Sequence, residues 1–238
     1  MSDQLDLRGR GLSAVPSEVW EARGLRSLAL GRNPLGAIAD AVGSLASLTA
    51  LYLDETGIEE LPDAVGRLAA LRVLDLAHNR LATLPDAIAR LGALEVLYLG
   101  DNRFTALPEP VRPLRALSYL GAADNRIEQL PEWVGELAAL IELRLQGNAL
   151  TALPEEVGQL RALRELHLRG NRIATLPEAI GDLHELRRLD LRENAIAALP
   201  DALAELPALD RLDLRWNGFL DPPPVVQRLR ARGCVVWL

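Results

Sequence analysis

Three histidines, one cysteine and a scatter of acids are the residues whose types suit metal or nucleophilic chemistry. Their spacing argues against both. His78, His167 and His184 fall at three different phases of the repeat that runs through the chain, and none is positioned to share a metal ion with Cys234. No serine or cysteine sits in a nucleophile elbow. Strings such as "GDNR" recur with the period but lack the ligand spacing of a calcium loop, and no glycine loop is built to cradle phosphate. The reading is therefore of a non-enzyme with no catalytic residue, metal or cofactor. The chemistry the chain does carry is recognition. Its only tyrosines, Tyr52, Tyr98 and Tyr119, and the arginines of its second half recur at matching phases.

The elements that position these residues follow from a period of 23 residues. Asparagine recurs at Asn33, Asn79, Asn102, Asn125, Asn148, Asn171, Asn194 and Asn217, with Thr56 in the one gap. A fixed period of about 20 to 29 residues marks a solenoid. Around each asparagine stand strings such as "LRVLDLAHNRL" and "LRELHLRGNRI". Alternating leucines within them send apolar residues to one side and polar residues to the other, which is strand periodicity. Each coil then gives one short strand, and successive strands stack in parallel about 4.8 Å apart. Asparagine leaves the strand with both donor and acceptor capacity, enough to satisfy backbone groups of its own and the neighbouring coil.

These strings resemble the leucine-rich repeat, LxxLxLxxNxL, over essentially the whole chain. Ten repeats begin at Ser2, Leu25, Leu48, Leu71, Leu94, Leu117, Leu140, Leu163, Leu186 and Leu209. Val235 and Trp237 fall on strand columns of a partial last coil. The second halves, "LPDAVGRLAA" and "LPEAIGDLHE" among them, resemble the 23-residue class found in Ras-associated leucine-rich scaffolds, plant intracellular Ras-group-related proteins and bacterial proteins. Proline suits the first position of a short helix and the acid after it suits a helix N-terminus, so one or two helical turns, some 3-10, are expected per coil. The resemblance implies an α/β solenoid, a horseshoe with a parallel sheet on its concave face and short helical or 3-10 turns outside, which binds other proteins.

Composition sets bounds on the rest. Residues 1–238 read as one leucine-rich repeat domain, capped by 1–24 and by 209–238. The tail "PPPVVQRLRARGCVVWL" predicts a helical turn with Val226 and Leu229 inward and then a closing strand. Trp20 and Trp237 are expected to shield the open ends of the core. One cysteine excludes an intrachain disulfide, the N-terminus lacks an apolar signal core, and no apolar run is long enough to span a membrane. Cytoplasmic residence is the expectation. The basic residues number 26, all arginine, which reads as a GC-rich bacterial gene, with consensus design as the rival. A net charge of −7 opposes nucleic-acid binding, which needs a dominant basic field.

Free of structural duty are the outward strand positions. One column runs Gln4, Ser27, Ala50, Val73, Val96, Tyr119, Glu142, Glu165, Arg188, Arg211, and the next Asp6, Ala29, Tyr52, Asp75, Tyr98, Gly121, Arg144, His167, Asp190, Asp213. Tyr52, Val73, Val96, Tyr98 and Tyr119 form an apolar patch suited to a protein partner, because tyrosine joins a rigid ring to a polar tip. Arg144, His167, Arg169, Arg188, Arg192, Arg211, Arg215 and Trp216 are candidates to orient that partner, unless the acids between the arginines merely pair with them. Glycan or small-ligand recognition on the tyrosines is the alternative, and a scaffold without ligand a third reading. A monomer is favoured.

Overall fold

The computed structural model describes residues 3–219 and 221–238; Ser2, where the first repeat begins, lies outside them. Two compact units are formed, Met1–Phe104 with Pro108–Gly121, and Thr105–Leu107 with Ala122–Leu238. The first carries β1 (Gln4–Asp6), β2 (Ser27–Ala29), β3 (Ala50–Tyr52), β4 (Val73–Asp75), β5 (Val96–Tyr98) and β6 (Tyr119–Gly121). They pair in parallel in chain order, each shifted from the last by one repeat, so that Leu28, Leu51, Leu74, Leu97 and Leu120 stack in register. The second unit carries β7 (Glu142–Arg144), β8 (Glu165–His167), β9 (Arg188–Asp190), β10 (Arg211–Asp213), helix α1 (Pro224–Ala231) and β11 (Val235–Trp237), stacked in the same way. The strand leucines of β2 to β8 are fully buried. Three-residue strands with one inward side chain cannot make a core singly, so each coil is stable only against its neighbours.

The asparagine column does what its chemistry predicts. Asn102 donates from Nδ2 to Leu76 O at 2.9 Å in the preceding coil and to Leu99 O at 3.1 Å in its own, and its Oδ1 accepts Leu81 N–H at 2.9 Å. The same pattern holds at Asn79, Asn171 and Asn194. Thr56 keeps only part of it: its Oγ1 lies 2.8 Å from Leu53 O within its own coil. The Leu35 N–H, which an asparagine at 56 would have served, turns instead to Asn33 O at 2.7 Å.

The return segments are 3-10 turns, such as Asp63–Arg67, Glu155–Gln159 and Glu178–Asp182. The proline stands one residue earlier than expected: Pro62 is the cap, with φ −72° and ψ 147°, and the turn begins at Asp63. Its carbonyl accepts the Val65 N–H at 3.1 Å. Four residues after the cap, successive turns nearly touch. A Cβ on Gly66, Gly158 or Gly181 would strike the alanine of the next turn, Ala87, Ala179 or Ala202. Ala89 and Ala204 occupy this column where the next element differs, a three-residue turn over Glu109–Val111 and helix α1 respectively.

The tail folds as the sequence indicates, with Val225, Val226 and Leu229 of α1 buried. The Arg232 guanidinium donates to the Ala204 and Leu206 carbonyls, closing the end of the last 3-10 turn. Trp237 departs from the capping role expected of it. Val236 pairs with Leu212 on the core side, so Val235 and Trp237 face outward, 48% and 40% exposed. Trp20 is half-buried in the turn Ser17–Glu21.

Candidate functional site

Every strand presents two side chains away from the core, and the residue after the next leucine adds a third. In the first unit these positions bring Val73, Val96 and Tyr119 into one register line and Tyr52, Asp75, Tyr98 and Gly121 into the next. All three tyrosines and both valines are half-buried. Tyr98 and Tyr119 pack with ring centres 4.8 Å apart at 47°, a tilted contact favoured by the ring quadrupoles. Tyr119 lies across Gly121: a Cβ on that glycine would fall 3.0 Å from the Tyr119 ring. Gly121 is thus the space that lets the ring lie down, a role the sequence columns do not reveal.

Arg8 extends the patch. From the first coil it reaches Tyr52 in the third, its guanidinium carbon 5.0 Å from the ring centre, a cation–π distance. Its way lies past β2, where Ala29 and Gly31 offer little bulk, and the carboxylate of Asp54 also fills the space above Gly31. Asp75, between Tyr52 and Tyr98, accepts the Ala77 N–H at 3.0 Å. Burial pushes its carboxyl above the usual range; the Ala77 N–H opposes this and nearby Asp54 adds to it.

In the second unit the predicted cations are largely engaged by their own acids. Arg144 lies 2.5 Å from Glu142, Arg188 3.0 Å from Glu165, and Arg169 2.8 Å from Glu193. Arg192 holds Asp190 at 2.6 Å and reaches Asp213 at 3.4 Å, and Arg215 holds Asp213 at 2.7 Å. Burial alone would push Asp190 up, but the Arg192 guanidinium and its backbone N–H overcome this and hold the carboxyl below the usual range. Arg211 forms no ion pair among the described residues. Trp216 is 64% exposed, with the Arg215 guanidinium 5.4 Å from its ring.

The sequence did not pick out one cluster that the structure assembles. His167 Nε2 lies 3.2 Å from Glu165 and 3.8 Å from Glu142, and the ligand atoms of the three lie within 4.8 Å of one another. The adjacent-column positions of Glu142, Glu165 and His167 could have shown this. Arg144 and Arg188 already neutralise the two carboxylates, so the group is an ion-pair network whose donors a metal would have to win from guanidinium.

Comparison with known proteins agrees with this architecture. A family model described as leucine-rich repeat region matches residues 18–120, and two further leucine-rich repeat models match residues 175–219 and 162–183. A search of the curated proteins gave no match. Among solved structures, a leucine-rich repeat protein of Leptospira interrogans is 32% identical with a TM-score of 0.78, over 95% of this chain and 64% of that one. The functional domain of InlJ from Listeria monocytogenes, which includes a cysteine ladder, is similar at 22% identity and a TM-score of 0.79, over 92% of this chain and 45% of that one. A plant peptide hormone receptor, RGFR1 in complex with RGF2, matches at 23% identity and a TM-score of 0.67, over 86% of this chain and 38% of the receptor. The chain spans less than two thirds of the length of each. With its 23-residue period, its hydrogen-bonded asparagine column and these matches, the chain belongs to the leucine-rich repeat proteins.

Proposed function

We propose that this chain binds a protein partner on the outward strand face of its first unit, through Tyr52, Val73, Val96, Tyr98 and Tyr119. Leucine-rich repeat folds generally serve as non-enzymatic interaction modules, and one solved relative is a receptor bound to its peptide hormone. The observation that carries the reading is the tilted Tyr98–Tyr119 pair beside Val73 and Val96, an aromatic and aliphatic cluster on the solvent side of the sheet. Rigid rings already packed together lose little freedom on binding, which suits them as anchors. In the second unit, Arg211 and Trp216 are the accessible contributors. Arg144, His167, Arg169, Arg188, Arg192 and Arg215 would exchange one acid for another on binding, which favours orientation and rate over affinity.

Affinity capture with the wild-type chain and with a Tyr52→Ser, Tyr98→Ser, Tyr119→Ser variant tests this. The variant is expected to keep its circular dichroism spectrum and lose the partner, since anchors of this kind contribute about 2 kcal/mol or more each. Equal capture by both chains would move the site elsewhere.

A further inference from the structure

Within the aromatic face, one residue is out of keeping with its neighbours. Asp75 stands in register between Tyr52 on β3 and Tyr98 on β5, so a half-buried carboxylate has a tyrosine on each adjoining strand, each about 4.8 Å away. Among the described residues neither Asp75 nor Asp54 forms an ion pair. Burial and the nearby Asp54 charge both disfavour the ionised form of Asp75, and a cation placed beside it would remove that penalty. The chain already shows what such a cation does here. Arg8 stacks on Tyr52 at 5.0 Å and its charge partly relieves Asp75.

We propose that Tyr52, Asp75 and Tyr98 form a subsite for a cationic side chain of the partner, with Asp54 as a second carboxylate and Arg8 as the resident competitor. This rests on the aromatic-face reading above and names the partner's chemistry: a basic segment, with arginine preferred to lysine. A planar guanidinium can lie on a tyrosine ring and reach a carboxylate in the same plane, whereas an ammonium is a hydrated point charge. The net charge of −7 draws such a segment from a distance. Tyr98 is braced by Tyr119, so its ring is held for the incoming group.

The test is an NMR titration of the full chain, labelled at tyrosine and aspartate. The probes are an acetylated, amidated decapeptide containing two arginines and the same peptide with citrulline at those positions. The arginine peptide is expected to shift the Tyr52 and Tyr98 ring signals and the Asp75 carboxyl, and the citrulline peptide to bind at least tenfold more weakly. Asp75→Asn should weaken the arginine peptide at least tenfold while keeping the hydrogen bond from Ala77. Arg8→Ala should tighten it severalfold, and Arg90→Ala, a control remote from the strand face, should leave it unchanged. Equal binding of the two peptides, or shifts spread over surface acids without Tyr52 and Tyr98, would overturn the subsite. The two readings also separate in partner capture. If Asp75→Asn still captures the partner that the tyrosine triple variant loses, the cation subsite falls and the aromatic face stands.

Discussion

At the scale of single residues, the fold depends on polar groups that serve the backbone. Asn102 is 8% exposed and satisfies two backbone carbonyls and one N–H across its own coil and the one before it. Each buried group left unpaired costs about 1–3 kcal/mol, so Asn102→Ala is expected to lose more than about 2 kcal/mol in chemical denaturation. Asn102→Thr should lose less, because Thr56 shows that a hydroxyl retains the bond within its own coil. The residue just before each asparagine carries a second constraint. From Arg32 and Glu55 through Gly147 and Gly170 to Trp216, it has φ between 50° and 68°. Only the two glycines adopt this without the side-chain penalty of left-handed backbone. Asp75 makes a third residue-scale case. Its folded pKa is raised by burial, so the stability it gives by holding its proton is complete below the ordinary aspartate pKa and is lost as pH rises through the raised value. Asp75→Asn, neutral throughout, should therefore be more stable than wild type at pH 7, with the gap closing in acid. Denaturation midpoints across that range check the sign. A carboxylate that weakens the fold at neutral pH is the kind of group retained for binding.

At the scale of elements, spacing between 3-10 turns is fixed by the absence of one carbon atom. A Cβ on Gly158 would collide with the Ala179 carbonyl, a backbone atom that cannot swing aside. Gly158→Ala is expected to cost about 1–3 kcal/mol, the usual penalty of overpacking, whereas Gly92→Ala, with open space around it, should be near neutral. Thermal denaturation of the two variants gives the comparison. These elements also show what was legible in the sequence. Strand columns, the inward leucines, the asparagine bonds and the α1–β11 tail follow from periodicity, because one inward side chain in two fixes every register. Three features did not follow. Proline caps the 3-10 turn from outside, since the choice between that and the first helical position rests on a backbone angle. Trp237 faces outward because β11 pairs through Val236. Long side chains cross columns, as Arg8 does to Tyr52 and Tyr119 does over Gly121, and a column alignment records only where a side chain starts. For the same reason the sequence left open whether the arginines face a partner or pair with the acids between them, and the structure engages them with Glu165, Asp190, Glu193 and Asp213.

At the scale of the whole molecule, stability in a repeat protein approximates a sum of coil terms and nearest-neighbour terms. The bonds of this chain obey that rule. Asn171 spans Leu145, Leu150 and Leu168, and Asn194 spans Leu168, Ile173 and Leu191, so each asparagine joins its own coil to the one before it. Removal of one whole repeat, residues 163–185, would set Leu186 after Ala162 and restore every column: Arg188 beside Glu142, Leu189 on Leu143, and Asn194 where Asn171 had been. The deletion should fold with the same circular dichroism per residue, a lower denaturation midpoint and a smaller denaturant slope, in proportion to the surface lost. A deletion of residues 163–173 removes about half that length and puts 3-10 positions against strand positions. Leucines would then face solvent and the asparagine amides would meet no carbonyls, so this variant should unfold or aggregate. Folding of both deletions alike would show that the coils do not depend on shared register. Loss of both would show that the intact stack is cooperative beyond nearest neighbours. The aromatic face on β3 to β6 lies outside the deleted repeat, so the whole-repeat deletion should also keep its affinity for the arginine decapeptide, tying the site to its own coils.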